Sequence, residues 1–369
     1  MNLDTPYFQK LRQEVMRRGG LLNAHLHLCR SGTLDETEFL LAEESSDGIS
    51  HLSLSKKHGI IPLIHASSGY ERENVRKRLE YYLDRMERAG TTRADTLVDV
   101  TTDRVGLSAL EEFLRVKEER RGRLDLRVGA YTPLGFTDAE PERWTLIERA
   151  GELADLVGAL PERDDRAMYP DHIGYEEACR RTLLLAHRLG KQIHVHVDQK
   201  NDPDENGTET ILSIIDELGL SYPAGEPTVW LLHVISPSRY EESRFDEMAR
   251  RLAAKNIGVI CCPSAALSMR QLRPLRTPTG NSIARVLELL AAGVHVRIGS
   301  DNICDITSPA GTPDLLDEFF VLSNAIRFYD VGILSKLAAG QALDDADRRK
   351  IRRHLELDAV EVARALADR

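Results

Sequence analysis

Short apolar runs rich in Val, Ile and Leu alternate along this chain with longer stretches whose apolar residues recur every three or four positions. The first pattern predicts buried strands and the second amphipathic helices, and their alternation predicts βα units around a parallel sheet. Strands are expected at 21–28, 96–100, 126–130, 156–160, 193–197, 228–233, 257–262 and 294–299. Helices are expected between them, among others at 107–119, 175–189, 208–218, 241–254 and 282–292. Eight such strands close one barrel, so the expected class is α/β, a single (β/α)8 TIM barrel over residues 1–369.

Two features depart from a plain barrel. Residues 1–20 read as a leading helix, and the connection over 30–93 is far longer than a usual βα loop. Its polar part, 30–50, is expected to cap the barrel mouth, and 72–89 to form the first barrel helix. After the last strand, 315–328 and 343–367 read as helices.

Composition narrows the class. In 369 residues, 42% are hydrophobic and no apolar run reaches the roughly 18 residues needed to span a bilayer. The net charge of -10 has no compensating basic stripe; the densest cationic stretch, Arg348, Arg349, Lys350, Arg352 and Arg353, falls in a helical pattern. Neither nucleic acid nor membrane is expected as a partner, and a small-molecule substrate is, with a homo-oligomer left open. Cys29, Cys179, Cys261, Cys262 and Cys304 form no CxxC pair and are expected as mostly buried thiols. The first twenty residues lack the basic-then-apolar layout of a secretory signal, so a cytoplasmic location is expected.

The chemistry lies at strand ends. The first strand closes on Asn23-Ala24-His25-Leu26-His27, and residues two apart on a strand share a face, so both imidazoles project together. Paired neutral imidazoles suit zinc or ferrous iron. The fifth strand carries His194, His196 and Asp198 at alternate positions, the sixth ends in His233 and the eighth in Asp301. Packed, hydrogen-bonded histidines are the other reading of any one of these strands. Four strands delivering His or Asp at one level favour a shared cation, because a buried carboxylate needs one or a set of donors.

Together, the HxH, the strand-five and strand-six histidines and the strand-eight aspartate resemble the amidohydrolase superfamily. TLVDVT at 96–101, LVGALP at 156–161, HVDQ at 196–199 and GSDNICD at 299–305 resemble strand ends of its cytosine deaminase group. The resemblance implies one divalent ion, zinc or iron(II), on His25, His27, His196 and Asp301. It implies further that His233 contacts the metal-bound water and that Asp301 takes its proton.

The chain departs from that pattern in several places. The group has a glutamate three residues after the strand-five histidine as its proton relay, and this chain has Gln199 there, retained here as a catalytic position. An amide does not relay protons as a carboxylic acid does, which leaves Asp198, Asp305 and His194 as the nearest acids in sequence. The strand-three glutamine that reads a pyrimidine is missing from Ala130-Tyr131-Thr132-Pro133-Leu134-Gly135, Cys29 replaces an aspartate, and no β-sandwich domain is expected.

Asp198, Asn302, Asp305 and His194 are the expected substrate-binding residues, with loop capping as the other reading of the first three. Arg270, Arg273 and Arg276 are read as solvated charge ahead of carboxylate binding. His51, His58, His65, His172, His187, His295 and His354 are assigned to surface or packing.

The expected activity is metal-dependent hydrolysis of a C–N bond in a small nitrogen-rich compound, with deamination of a heterocycle ahead of opening a cyclic amide. A non-hydrolytic lyase on the same metal, and a catalytically degenerate metal-binding scaffold, are the alternatives.

Overall fold

A computed structural model describes residues 3–35, 52–272, 280 and 282–367. Its eight strands are β1 (Leu21–Leu26), β2 (Thr91–Asp99), β3 (Asp125–Tyr131), β4 (Leu156–Ala159), β5 (Gln192–Val197), β6 (Val229–His233), β7 (Gly258–Cys261) and β8 (Val296–Ile298). They pair in parallel in sequence order. The ring closes where Leu26 bridges Asp301, with His27 N donating to Asp301 O at 3.1 Å and Asp301 N to His25 O at 2.9 Å. The (β/α)8 expectation holds, and every expected strand is found within a few residues of its place.

Alternation along the strands builds two apolar layers. Val195, Leu231, Val259 and Ile298 belong to the large core shared with the helices, while Leu22, Ala24, Trp230, Leu232 and Ile260 form a small cluster inside the barrel. β1 changes phase part-way. Leu22 and Ala24 join the inner cluster, yet Leu26 and Leu28 join the outer core, and the pairing with β2 shifts register between Asn23 and Leu26. That irregularity places His25 and His27 on the inner side at the C-terminal mouth, where barrel enzymes build their sites.

Helices Pro6–Arg17, Arg72–Ala89, Ser108–Glu119, Tyr175–Leu189, Gly207–Glu217 and Glu242–Ala254 match the expected stretches closely. The helix expected at 282–292 is shorter, Val286–Ala292. Of the 30–93 connection, residues 36–51 lie outside the described residues; the described part holds Leu54–Ala66 and Arg72–Ala89. Leu54–Ala66 was not legible as a helix, because Gly59 and Pro62 interrupt it and its apolar residues do not keep to one face. All five cysteines are free, and all but Cys304 are buried. Among the described residues no helix is long and apolar enough to cross a membrane.

Candidate metal centre and pocket

Five side chains from four strand ends converge at the barrel mouth. His25, His27 and His196 present ring nitrogens within 4.8 Å of one another, and so do His25, His233 and Asp301 with one ligand atom each. His27 Nε2 stands 3.3 Å from His196 Nε2, and Asp301 Oδ1 stands 3.6 Å from both His25 Nε2 and His27 Nε2.

The backbone is shaped to reach this arrangement. Asp301 (φ 62°) and His233 (φ 72°) both occupy the left-handed region, a costly conformation for residues with a Cβ and one concentrated at functional sites. Gly299 is required beside them, because a Cβ there would lie 2.9 Å from His25 N, O and Cβ. Asn23 locks the same corner, donating to Ser300 Oγ at 2.8 Å and accepting from Ser300 N at 3.0 Å.

The donor set fits a divalent ion. Burial holds the imidazoles of His25, His27 and His233 well below their ordinary pKa and that of His196 at about 4, so all are neutral and ligand-competent. Among the described residues His25 has no hydrogen-bond partner at either ring nitrogen, and His27 and His233 have none at Nδ1. Buried polar atoms left this way are costly without a cation. His196 Nδ1 donates to Ala159 O at 2.9 Å, which turns its Nε2 toward the cluster. Asp301 is pushed up to about 7, first by burial and then by the charge of Asp305, with only Asn302 Nδ2 bonded to its Oδ1, at 3.0 Å.

Above the cluster opens a cavity of about 590 Å³, a size normal for a small-ligand site. His27, Tyr131, His196, His233, Asp301 and Asn302 form its floor. The Tyr131 ring lies 5.2 Å from that of His27 and 5.5 Å from that of His196. Arg30, Lys57, Arg163 and Lys200 bring positive charge to the wall.

Asn302 and the catalytic candidate Gln199 line this cavity, but the other three expected substrate-binding residues do not. Asp198 takes φ 54° just after β5 and turns its carboxylate to the start of helix Gly207–Glu217, accepting from Gly207 N, Thr208 N and Thr208 Oγ1 at 2.7, 3.1 and 2.6 Å. Asp305 caps its own turn, accepting from Thr307 N and Ser308 N at 2.9 Å each. His194 shares the inner face with His196 but sits one layer deeper, its ring 6.0 Å from that of His25.

Of the histidines assigned to surface or packing, His58 is on the cavity wall, while His65 packs as expected, buried in a polar network with Nδ1 2.6 Å from Asp103 Oδ2 and Nε2 3.3 Å from Asp99 Oδ2. Arg270 lines the cavity, whereas Arg273, Arg276 and His51 lie outside the described residues.

Two cavity residues had no sequence signal. Arg30 is 3% exposed, with Nη1 and Nη2 at 3.5 Å from Asp99 Oδ1 and Asn302 Oδ1 and its Nε without a partner among the described residues. Glu162, just after β4, receives the Gln199 side-chain amide at 3.2 Å and the Gln199 backbone N–H at 3.3 Å.

Comparison with solved structures finds the same barrel fold in known proteins. A 5-methylcytosine deaminase from Klebsiella pneumoniae superposes with a TM-score of 0.71 and 24% identity, over 84% of this chain and 70% of that one. The two chains share the (β/α)8 barrel fold. An N-isopropylammelide isopropylaminohydrolase from Burkholderia multivorans aligns at TM-score 0.65 and 21% identity, over 87% of this chain and 73% of that one. In sequence, an uncharacterised Haemophilus influenzae protein is 25% identical over 284 residues, 76% of this chain and 94% of its own. A pterin deaminase from Rhizobium rhizogenes is 25% identical over 246 residues, 67% of this chain, which spans about half (53%) of that relative's length. No family model matches the chain.

Proposed function

We propose that this protein is a metal-dependent hydrolase that removes an amino group from a small nitrogen-rich heterocycle. The observation that carries the reading is the convergence of His25, His27, His196, His233 and Asp301, with ring nitrogens of His25, His27 and His233 unpartnered among the described residues, at a ligand-sized cavity that all but His25 line. The deaminases and aminohydrolase among its structural and sequence relatives support it.

His25, His27, His196 and Asp301 would hold the ion, zinc or iron(II), which supplies water acidified toward neutral pH. Asp301 accepts the proton of the attacking water. His233, fixed at the end of β6, donates to the oxygen as the attacked carbon becomes tetrahedral. Tyr131 gives the ring an apolar face to rest on. Arg30, whose Nε meets no acceptor among the described residues, together with Asn302 suits an oxo or anionic group on the heterocycle. The cavity has room for a fused pair of rings.

The test is metal content and ammonia release. Purified protein loaded with zinc or iron(II) is expected to hold about one ion and to release ammonia from at least one of cytosine, 5-methylcytosine, guanine and pterin, or the alkylamine from an N-alkylated aminotriazine. Uptake of water without release of ammonia or an amine would favour opening of a cyclic amide. Failure to bind metal at all would leave the degenerate scaffold.

A further inference from the structure

Replacing an amino group by oxygen on a heterocycle requires a proton at the ring nitrogen during attack and another on the departing amine. Gln199 supplies neither, since an amide has no proton to exchange in this range. Of the acids near it in sequence, Asp198 is committed to a helix start, Asp305 to its own turn, and His194 lies beneath the ligand layer.

Glu162 is differently placed. It follows β4 on the short helical turn Pro161–Asp164, and its side chain is on the cavity wall with His196 and Gln199. Two contacts join the ends of β4 and β5 in step. His196 Nδ1 bonds Ala159 O, and three residues further along both strands the Gln199 amide bonds Glu162 Oε2. The carboxyl of Glu162 therefore reaches, from the neighbouring strand, toward the place that a side chain at 199 would occupy. Each of its oxygens accepts one bond from Gln199, leaving a further lone pair on each for a proton.

We propose that Glu162 is the proton-transferring carboxyl of this site, with Gln199 as the positioning residue that aims it. The inference rests on the hydrolase reading. Surrounding protein raises the Glu162 carboxyl above the usual carboxylate range; Lys200 and the Gln199 donors oppose that rise and the charge of Asp198 adds to it. Glu205 shares the same field, itself pushed up by burial and by Glu162.

The proton count closes. Glu162 gives its proton to the ring nitrogen as the water oxygen bonds to carbon, while Asp301 takes the proton that the water loses. Asp301 then protonates the amine, the hydroxyl on the tetrahedral carbon returns a proton to Glu162, and the C–N bond breaks with its electron pair leaving on ammonia. One water is consumed, one ammonia is released, and both carboxyls regain their starting states.

The experiment compares zinc-loaded wild type with Glu162→Gln, Gln199→Ala and the double variant Glu162→Gln, Gln199→Glu, on the panel compound that the wild type deaminates. Glu162→Gln is expected to lose about a hundredfold or more in kcat at unchanged metal content. Gln199→Ala should lose less, and the double variant should recover at least about tenfold over Glu162→Gln by returning the carboxyl to β5. A kcat for Glu162→Gln within about threefold of wild type overturns the proposal.

Infrared difference spectra, wild type minus Glu162→Gln, supply a readout independent of turnover. A protonated-carboxyl band near neutral pH is expected in metal-free and zinc-loaded protein, and its absence from both overturns the assignment. A wild type that turns over no panel compound removes the hydrolase reading instead, and the infrared band still decides whether Glu162 holds a proton. Should Glu162→Gln fail to fold, Gln199→Ala with metal bound and undiminished kcat would overturn the positioning role.

Discussion

The Gln199 side-chain amide stands 3.2 Å from Glu162 Oε2, across two strand ends separated by 37 residues of sequence. Gln199→Glu would set two carboxyls at that distance, and they cannot both ionise without strong repulsion, so the pair keeps one proton. Its folded pKa then exceeds that of the unfolded chain, the native state binds more protons between the two values, and stability falls as pH rises through that window. Calorimetry should find the variant's Tm matching wild type at about pH 5 and falling several degrees below it by about pH 8, with metal content retained. A Tm difference that does not change with pH would mean that the two side chains do not meet.

The barrel and the His and Asp residues that gather at its mouth were legible because both follow local periodicity. His25 and His27 lie two apart on one strand, and four strand ends carry His or Asp. What escaped was either non-local or lay where periodicity stops. Glu162 is bound to the site through a partner 37 positions away, and PERD at 161–164 reads as an ordinary polar loop. Asp198 continues the alternation of His194 and His196, but β5 ends at Val197 and the left-handed φ of Asp198 rotates its carboxylate out of register. His194 keeps the right face and the wrong depth, which a pattern of alternate residues does not encode.

Asp198 should behave as a helix cap. Its carboxylate satisfies two backbone N–H groups and a hydroxyl at the start of helix Gly207–Glu217. Asp198→Ala is expected to cost about 1–2 kcal/mol in urea unfolding. Metal content and KM of the folded fraction should stay within about threefold of wild type, a bound that a residue gripping substrate would break.

Glu318 offers a stability test away from the site. It is 4% exposed, accepts from Ser264 N at 2.8 Å, and is pushed up to about 7 by burial, with Asp317 adding to the rise. For an acid raised in this way, the contribution of its protonated form is full below the unfolded value of about 4.3 and is lost as pH climbs through 7. Glu318→Gln keeps the acceptor and removes the titration. Urea unfolding should show the variant equal to wild type at about pH 4 and more stable by on the order of 3 kcal/mol at about pH 8. Equal stabilities at the higher pH would place Glu318 in a better-solvated setting than its burial implies.

In the proposed mechanism, metal binding and catalysis meet at Asp301. The residue closes the barrel through backbone bonds to His25 and His27, so its side chain can be changed while its main-chain role is kept. Asp301→Asn preserves shape but halves the charge-bearing acceptors and removes the base for the attacking water. Zinc affinity should fall by at least about a hundredfold and turnover should vanish. Removing zinc from the wild type with a chelator should lower its Tm, because an ion held at about a thousand times its Kd contributes about 4 kcal/mol to the folded state. The same chelation should leave a His25→Ala, His27→Ala variant unmoved. If Asp301→Asn still released ammonia, the proton acceptor would lie elsewhere in the pocket and the assignment of that role to Asp301 would be lost.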